Sequence, residues 1–152
     1  MKQAFSIVIV CKNEAAVIGH LLDSAQNVTD DVVVYDNGST DATVALAQRY
    51  KNVQLHQGPW QGFGKTKQLA TALAKHDWVL SLDADEALDE TLQHTLAQLS
   101  LDDPNIAYNI IRKINKSRCS RPVKCSNNRV SINIFCSVCT AADVRRNEVQ
   151  IA

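Results

Sequence analysis

The sequence predicts an α/β protein built on a parallel sheet with helices on both faces. Three observations predict it. Strand-like and helix-like segments alternate through the first 111 residues. The runs FSIVIV and DVVVY are apolar without alternation, as strands covered on both sides are. Acids stand just past such runs, at Glu14, Asp36, Asp83 and Asp85, where the carboxyl ends of parallel strands gather ligand-binding residues.

The elements follow in order. Phe5 to Val10 reads as the first strand. Asn13-Glu14 opens a segment with apolar residues at Ala15, Ile18, Leu21, Leu22 and Ala25, which is helical spacing. Asp31 to Tyr35 is the second strand and stops at the turn signal Asp36-Asn37-Gly38. Ser39 or Thr40 is a candidate cap for a helix that buries Val44, Leu46 and Ala47 and carries Arg49 in its last turn. Asn52 to His56 is a short third strand, Gln57 to Gly64 a loop, and Lys65 to His76 a helix. Trp78 to Leu82 is the fourth strand, Leu88 to Leu99 an amphipathic helix, and Asn105 to Ile111 a candidate fifth strand. Past Ile111 no period of 2 or 3.6 is sustained. Val130 to Phe135 has strand composition without a visible partner.

The totals bound the class. A chain of 152 residues, 45% hydrophobic and 21% charged, fits one soluble globular domain. No apolar run reaches membrane-spanning length, and the apolar start is too short for a signal peptide, so a cytoplasmic location is expected. The net charge of zero hides an asymmetry. Residues 1–111 carry 7 Lys+Arg against 14 Asp+Glu, and residues 112–152 carry 9 against 2. Four of the five cysteines also lie in the second part. The expected division is therefore 1–111 as the folded unit and 112–152 as an irregular, basic, Cys-rich tail, disordered as an out-of-frame or truncated product would be.

Several chemistries are excluded by spacing. WQGFGK lacks the G-x-x-x-x-G-K-[ST] of a phosphate loop, although a Gly-rich turn before a helix still offers N–H groups to an anion. Its local alternative is a surface loop with two solvated lysines, Lys65 and Lys67. CSVC at 136–139 has no second pair at zinc spacing, since Cys119 and Cys125 are poorly spaced and no His lies nearby. The four histidines form no His-x-x-x-His or Ser/His/Asp pattern. The informative stretch is VLSLDADE, where a core strand runs into three acids. Like charges this close raise each other's pKa unless a positive group stands between them. Hard cations such as Mg²⁺ and Mn²⁺ take one or two carboxylates together with substrate phosphates. The alternative is a solvated acidic turn at the start of the next helix. Asp36, at a strand end before a tight turn, can accept hydrogen bonds from a base or a ribose, whereas a plain turn and cap would need only Gly38 and Ser39.

Taken together, IVIVCKNEAAVI, VVVYDNGSTDAT, WQGFGKTKQLA and VLSLDADEAL resemble the donor-binding half of the family 2 inverting glycosyltransferases, which have the GT-A fold. The resemblance covers residues 5–115, and within the family it looks most like the bacterial lipopolysaccharide-core β-glucosyltransferases. It implies transfer of a sugar, glucose, from UDP-glucose to a lipid-linked lipopolysaccharide-core or related saccharide. No nucleic-acid partner is expected. The setting would be the inner face of the plasma membrane, with peripheral contact favoured by the basic tail. By resemblance Cys11, Asn13 and Glu14 line the nucleotide pocket and Asp36 contacts the base. Lys67 approaches the donor, Asp83 faces the ribose or the metal's water shell, and Asp85 ligates Mn²⁺ or Mg²⁺. The family's general base comes from a later acceptor half. The only acids here past Asp103 are Asp143 and Glu148, neither in a family motif, so no base is assigned. A second reading is a unit that binds nucleotide diphosphate and metal without transfer. A nucleotidyltransferase would place a basic Gly-rich loop where Lys12-Asn13-Glu14 stands, and a phosphoacceptor receiver would want an acidic pair there.

Overall fold

Four parallel strands position everything that follows. The computed structural model describes residues 4–102, 106–111, 131–136 and 145–151. In chain order they form β1 (Phe5–Cys11), α1 (Ile18–Ala25), β2 (Val32–Asp36), α2 (Thr43–Ala47), β3 (Val53–Gln57) and α3 (Phe63–Thr71). Then come β4 (Trp78–Asp83), α4 (Glu90–Gln98), β5 (Ile106–Ile111), β6 (Ser131–Cys136) and β7 (Arg145–Ile151). The sheet order is β3-β2-β1-β4-β6-β5-β7. β1 pairs in parallel with β2 and β4, and β2 with β3. The α/β fold expected from the sequence is the one observed.

Both faces of the parallel part are buried, which is why its strands read as continuous apolar runs. Ile7, Ile9 and Cys11 of β1 pack with Ile18, Leu21 and Leu22 of α1, Ala47 of α2 and Leu96 of α4. The alternate residue Val8 packs with Val33, Tyr35 and Val79 against Ala70 of α3. So α1, α2 and α4 cover one face and α3 the other. Ser6 also points to the α3 side, and its hydroxyl donates to the buried Asp31 carboxylate at 2.5 Å.

The helices differ from their expected bounds for local reasons. α2 starts at Thr43, so Ser39 and Thr40 do not cap it. Asp41 instead accepts the Thr43 N–H at 3.0 Å. α4 starts after Asp89, whose side chain accepts from the Leu92 N–H at 2.8 Å. α1 begins only at Ile18, after a turn closed by the Glu14 carbonyl.

The segment 112–152, expected to be irregular, contributes two strands. β6 runs antiparallel between β4 and β5, with Leu80 opposite Ile134 and Tyr108 opposite the same Ile134. β7 pairs in parallel with β5. The strand composition seen at 130–135 thus has partners on both sides. The remainder of that segment, with Cys119, Cys125, Cys139 and Asp143, lies outside the described residues.

Candidate functional site

The carboxyl ends of β1, β2 and β4 finish level with one another. Asp36 stands opposite Cys11, and Asp83 opposite Val10. From β1 the chain steps through β2 to β3 on one side, and β4 lies on the other, so the strand order reverses between β1 and β4. A ligand crevice forms at such a reversal because the loops on its two sides diverge.

The loops after β1 and β2 are tied together. The Asn13 N–H donates to Ser39 Oγ at 2.8 Å, and the Thr40 N–H to Asn13 Oδ1 at 2.8 Å. The Glu14 N–H donates to Thr43 Oγ1 at 2.9 Å, and the Ala15 N–H to Asp41 Oδ2 at 3.1 Å. Asn13 holds φ at 57°, a left-handed conformation that asparagine tolerates better than most residues. These bonds make the β1–α1 and β2–α2 loops one wall.

Asp36 is fully buried at the base of that wall. Its carboxylate accepts from the Gly38 N–H at 3.2 Å, the Ser39 N–H at 3.1 Å, the Ser39 hydroxyl, and Gln57 Nε2 at 3.2 Å. Burial pushes this carboxyl up, but the bonds from Ser39, Gln57 and Gly38 outweigh it and hold the group below its ordinary value. A carboxylate offers about four lone-pair sites. Four donors already fill them, so a base N–H could reach Asp36 only by displacing one.

Cys11 contributes through its backbone, whose carbonyl accepts from the Asn37 N–H at 2.9 Å. Its side chain lies in the core, and burial, followed by the charges of Asp36, Glu14 and Asp41, pushes the thiol up to about 12. It therefore stays a neutral thiol. The Glu14 side chain is half-buried beside this wall.

On the β4 side the acids alternate about a buried residue. Asp83 and Asp85 are exposed, and Ala84 between them is buried. The Asp83 N–H donates to Glu86 Oε2 at 2.8 Å, and the Glu86 N–H to the Asp83 carbonyl at 3.0 Å, which closes the turn. Lys67 Nζ from α3 lies 3.2 Å from Asp83 Oδ1. Its ammonium supplies positive charge beside the acids of VLSLDADE. The Asp85 carboxylate makes no hydrogen bond or ion pair among the described residues. Two exposed carboxylates two residues apart fit a hard divalent cation that completes its shell with water and phosphate. No group of three or more metal-binding side chains occurs among the described residues, so these alone do not close such a site.

Of the seven residues singled out from the sequence, Asn13, Glu14, Lys67, Asp83 and Asp85 stand at this rim, while the side chains of Asp36 and Cys11 are buried beneath it. Sequence reasoning missed Gln57, which reaches Asp36 from the neighbouring strand, and Asn37, whose Oδ1 is buried without a partner among the described residues. The β2–β3 pairing that sets Asp36 opposite Gln57 could have flagged the first.

A sheet of this order, with acids gathered where it reverses, is an α/β architecture that offers a ligand crevice at the reversal. The chain belongs to glycosyl transferase family 2, whose profile matches residues 6–131. An uncharacterized glycosyltransferase of Rickettsia prowazekii (strain Madrid E) is 39% identical over 108 residues, covering 69% of this chain and 37% of the relative. The lipopolysaccharide core biosynthesis glycosyltransferase LpsC of Rhizobium meliloti (strain 1021) is 32% identical over 117 residues, covering 74% and 43%. This chain spans about two fifths of the length of these curated relatives. Among solved structures, S. aureus TarS 1–349 in complex with UDP-GlcNAc has a TM-score of 0.64 at 25% identity, covering 89% of this chain and 46% of that one. Glucosyl-3-phosphoglycerate synthase from Mycobacterium tuberculosis, in complex with Mn²⁺, UDP and glucosyl-3-phosphoglycerate, shares the fold. Its TM-score is 0.54 at 21% identity, covering 71% and 43%.

Proposed function

We propose that this chain carries the donor-binding part of a glycosyltransferase that moves a hexose, glucose, from UDP-glucose to a lipopolysaccharide-core or related glycan. The donor half extends over residues 1–111. The observation that carries the reading is the exposed Asp85 carboxylate, without a partner among the described residues, beside the Lys67–Asp83 pair at the point where the strand order reverses. The UDP-GlcNAc complex of TarS supports a UDP-sugar donor, and the likeness to LpsC supports the acceptor class.

In this reading the wall built by Asn13, Glu14 and Ser39 receives the nucleoside. Asp36 shapes that wall by fixing the turn at Gly38 and Ser39. Asp85, with Asp83, holds Mn²⁺ or Mg²⁺, which when bound stabilises the charge that builds on the leaving nucleoside diphosphate. Lys67, whose ammonium lies 3.2 Å from Asp83, adds a second positive charge. The acceptor hydroxyl must lose a proton to a general base, a role given to no residue of this chain. No helix among the described residues is long and apolar enough to cross a membrane. A lipid-linked acceptor would be met by peripheral contact, to which the basic segment 112–152 contributes attraction for anionic lipid.

Calorimetric titration of UDP into the chain, with and without Mn²⁺, tests the donor site. Binding should need the ion and weaken at least about tenfold in Asp85→Ala, since charge-assisted contacts are worth about 1.5–3 kcal/mol. Equal binding by the variant would refute the metal role. Binding without transfer to any glycan acceptor would favour the unit that binds donor and metal only.

A further inference from the structure

We infer that Asn37–Gly38 is a latent deamidation site, which the turn bound to Asp36 keeps closed while the chain is folded. The inference goes beyond the donor reading and does not rest on it.

Asn37 is the one asparagine of the sequence that stands directly before a glycine. Glycine has no side chain to shield its backbone nitrogen or to restrict its rotation. That nitrogen can therefore reach the carboxamide beside it. The Gly38 nitrogen loses its proton to solvent and attacks Asn37 Cγ. A C–N bond forms, the bond from Cγ to Nδ2 breaks, and ammonia leaves with a proton taken from water. The product is a cyclic succinimide. Water then opens either of its two carbonyls, which leaves aspartate or isoaspartate at position 37. No oxidant, reductant or cofactor takes part.

The folded turn opposes each part of this step. The Asn37 N–H donates to the Cys11 carbonyl at 2.9 Å, the Gly38 N–H to Asp36 Oδ2 at 3.2 Å, and the Ser39 N–H to the same oxygen at 3.1 Å. Neither peptide flanking Gly38 can rotate toward the carboxamide without breaking one of these bonds. The attacking nitrogen also faces a carboxylate, and a negative charge beside it disfavours the amide anion that attack requires. At the carboxamide, Asn37 Oδ1 is buried with no hydrogen-bond partner among the described residues. No described donor stands ready for the charge that develops on that oxygen as the nitrogen adds.

The turn is anchored from three directions. Gln57 Nε2 of β3 donates to Asp36 at 3.2 Å, and the Gly58 N–H donates to the Asp36 carbonyl at 3.0 Å. The Ser39 hydroxyl donates to Asp36 while its oxygen accepts the Asn13 N–H at 2.8 Å. Conversion in the folded chain therefore waits for local opening, and its rate is the open-chain rate scaled by the fraction open. It is also one-way. A carboxylate in place of the buried Oδ1 would be uncompensated and next to Asp36, so the turn would not close again in its present form. How often this turn opens sets the chemical lifetime of the wall.

The test compares the full wild-type chain with Ser39→Ala, each folded and in denaturing urea, at mildly alkaline pH. Ser39→Ala removes the hydroxyl that joins Asp36 to Asn13 and leaves positions 37 and 38 as they are. Tandem mass spectrometry of the tryptic peptide from Asn13 to Arg49 reads the amide-to-acid mass gain at position 37, and enzymatic methylation reads isoaspartate. Circular dichroism establishes which samples are folded. The denatured chains should convert at the rate of a free Asn-Gly peptide. Folded wild type should convert at least about tenfold more slowly, since opening breaks several hydrogen bonds at once. Folded Ser39→Ala should lose about threefold or more of that protection. Wild type in urea below its unfolding transition gives a second measurement, independent of whether the variant folds. Conversion should rise there ahead of global unfolding. Folded wild type converting as fast as the denatured chain would overturn the inference, as would a denatured chain that does not convert at position 37. Folded Ser39→Ala as slow as wild type would overturn it too, and so would conversion that rises only with global unfolding.

Discussion

At the scale of residues, Asp36 shows how one carboxylate can shape the wall of a site through the turn it holds. Its four bonds knit Gly38, Ser39 and Gln57 into one turn. Asp36→Asn keeps the shape but puts an NH₂ where donors already point, so a loss of about 1–3 kcal/mol is expected. The pH dependence should betray the cause. The wild-type carboxyl titrates below its ordinary value of 3.8 in the folded state, so its contribution is present above pH 3.8 and lost as pH falls through the folded value. Melting temperatures of wild type and Asp36→Asn should differ most near neutrality and converge on acidification below about pH 4. A gap that stays constant with pH would show that the charge is not what the turn uses. The acid itself was legible from its place at the end of a β-branched run. That its oxygens are filled was not, because Gln57 reaches it from another strand and sequence spacing carries no signal of that contact.

At the scale of elements, local signals fixed the kinds of element and tertiary contacts moved their ends. The run WVLSLD is a strand by composition, and Asp89 is a cap by type. α3 was expected from Lys65 but begins at Phe63 and ends at Thr71, because Gly62 and Thr66 set its start together. Its loop rests on Gly58. A side chain there would meet the Tyr35 hydroxyl oxygen at 2.0 Å and its ring carbon at 2.8 Å, and Tyr35 is packed in the α3-side core. Gly58→Ala should therefore destabilise by about 1–3 kcal/mol through overpacking. In a Tyr35→Phe background the same change should cost less, since the nearer of the two clashing atoms is gone. Denaturant titration of the four proteins gives the coupling directly. An unchanged cost in that background would place the strain in the backbone instead of under the ring.

At the scale of the whole molecule, the sequence showed the parallel half and hid the rest for one physical reason. β1 to β4 are each followed by a helix that carries its own period, whereas β6 and β7 are short strands whose partners lie far away in the chain, and spacing does not identify those partners. Their insertion changes what the fold is mechanically. β6 separates β4 from β5, so the parallel half meets β5 through side chains as well as through the ladder. The described contact of this kind is Trp78 of β4 against Tyr108 of β5, with centroids 5.8 Å apart and planes tilted by 58°. Tyr108 is buried, and its hydroxyl donates to the Ser100 carbonyl at 3.1 Å, tying β5 to the end of α4. If the seven strands melt as one unit, removing this ring should be felt by all of them. Tyr108→Ala should lower stability by about 3 kcal/mol or more, as large-to-small changes of buried aromatics do. For a chain of this size that is a fall of roughly 6–12 °C in a single transition. Calorimetry distinguishes the alternatives. One transition shifted down as a whole means that β5 to β7 stabilise the donor-site half. A split into two transitions, with the upper one unmoved, would mean that the parallel strands and their acids hold together without them.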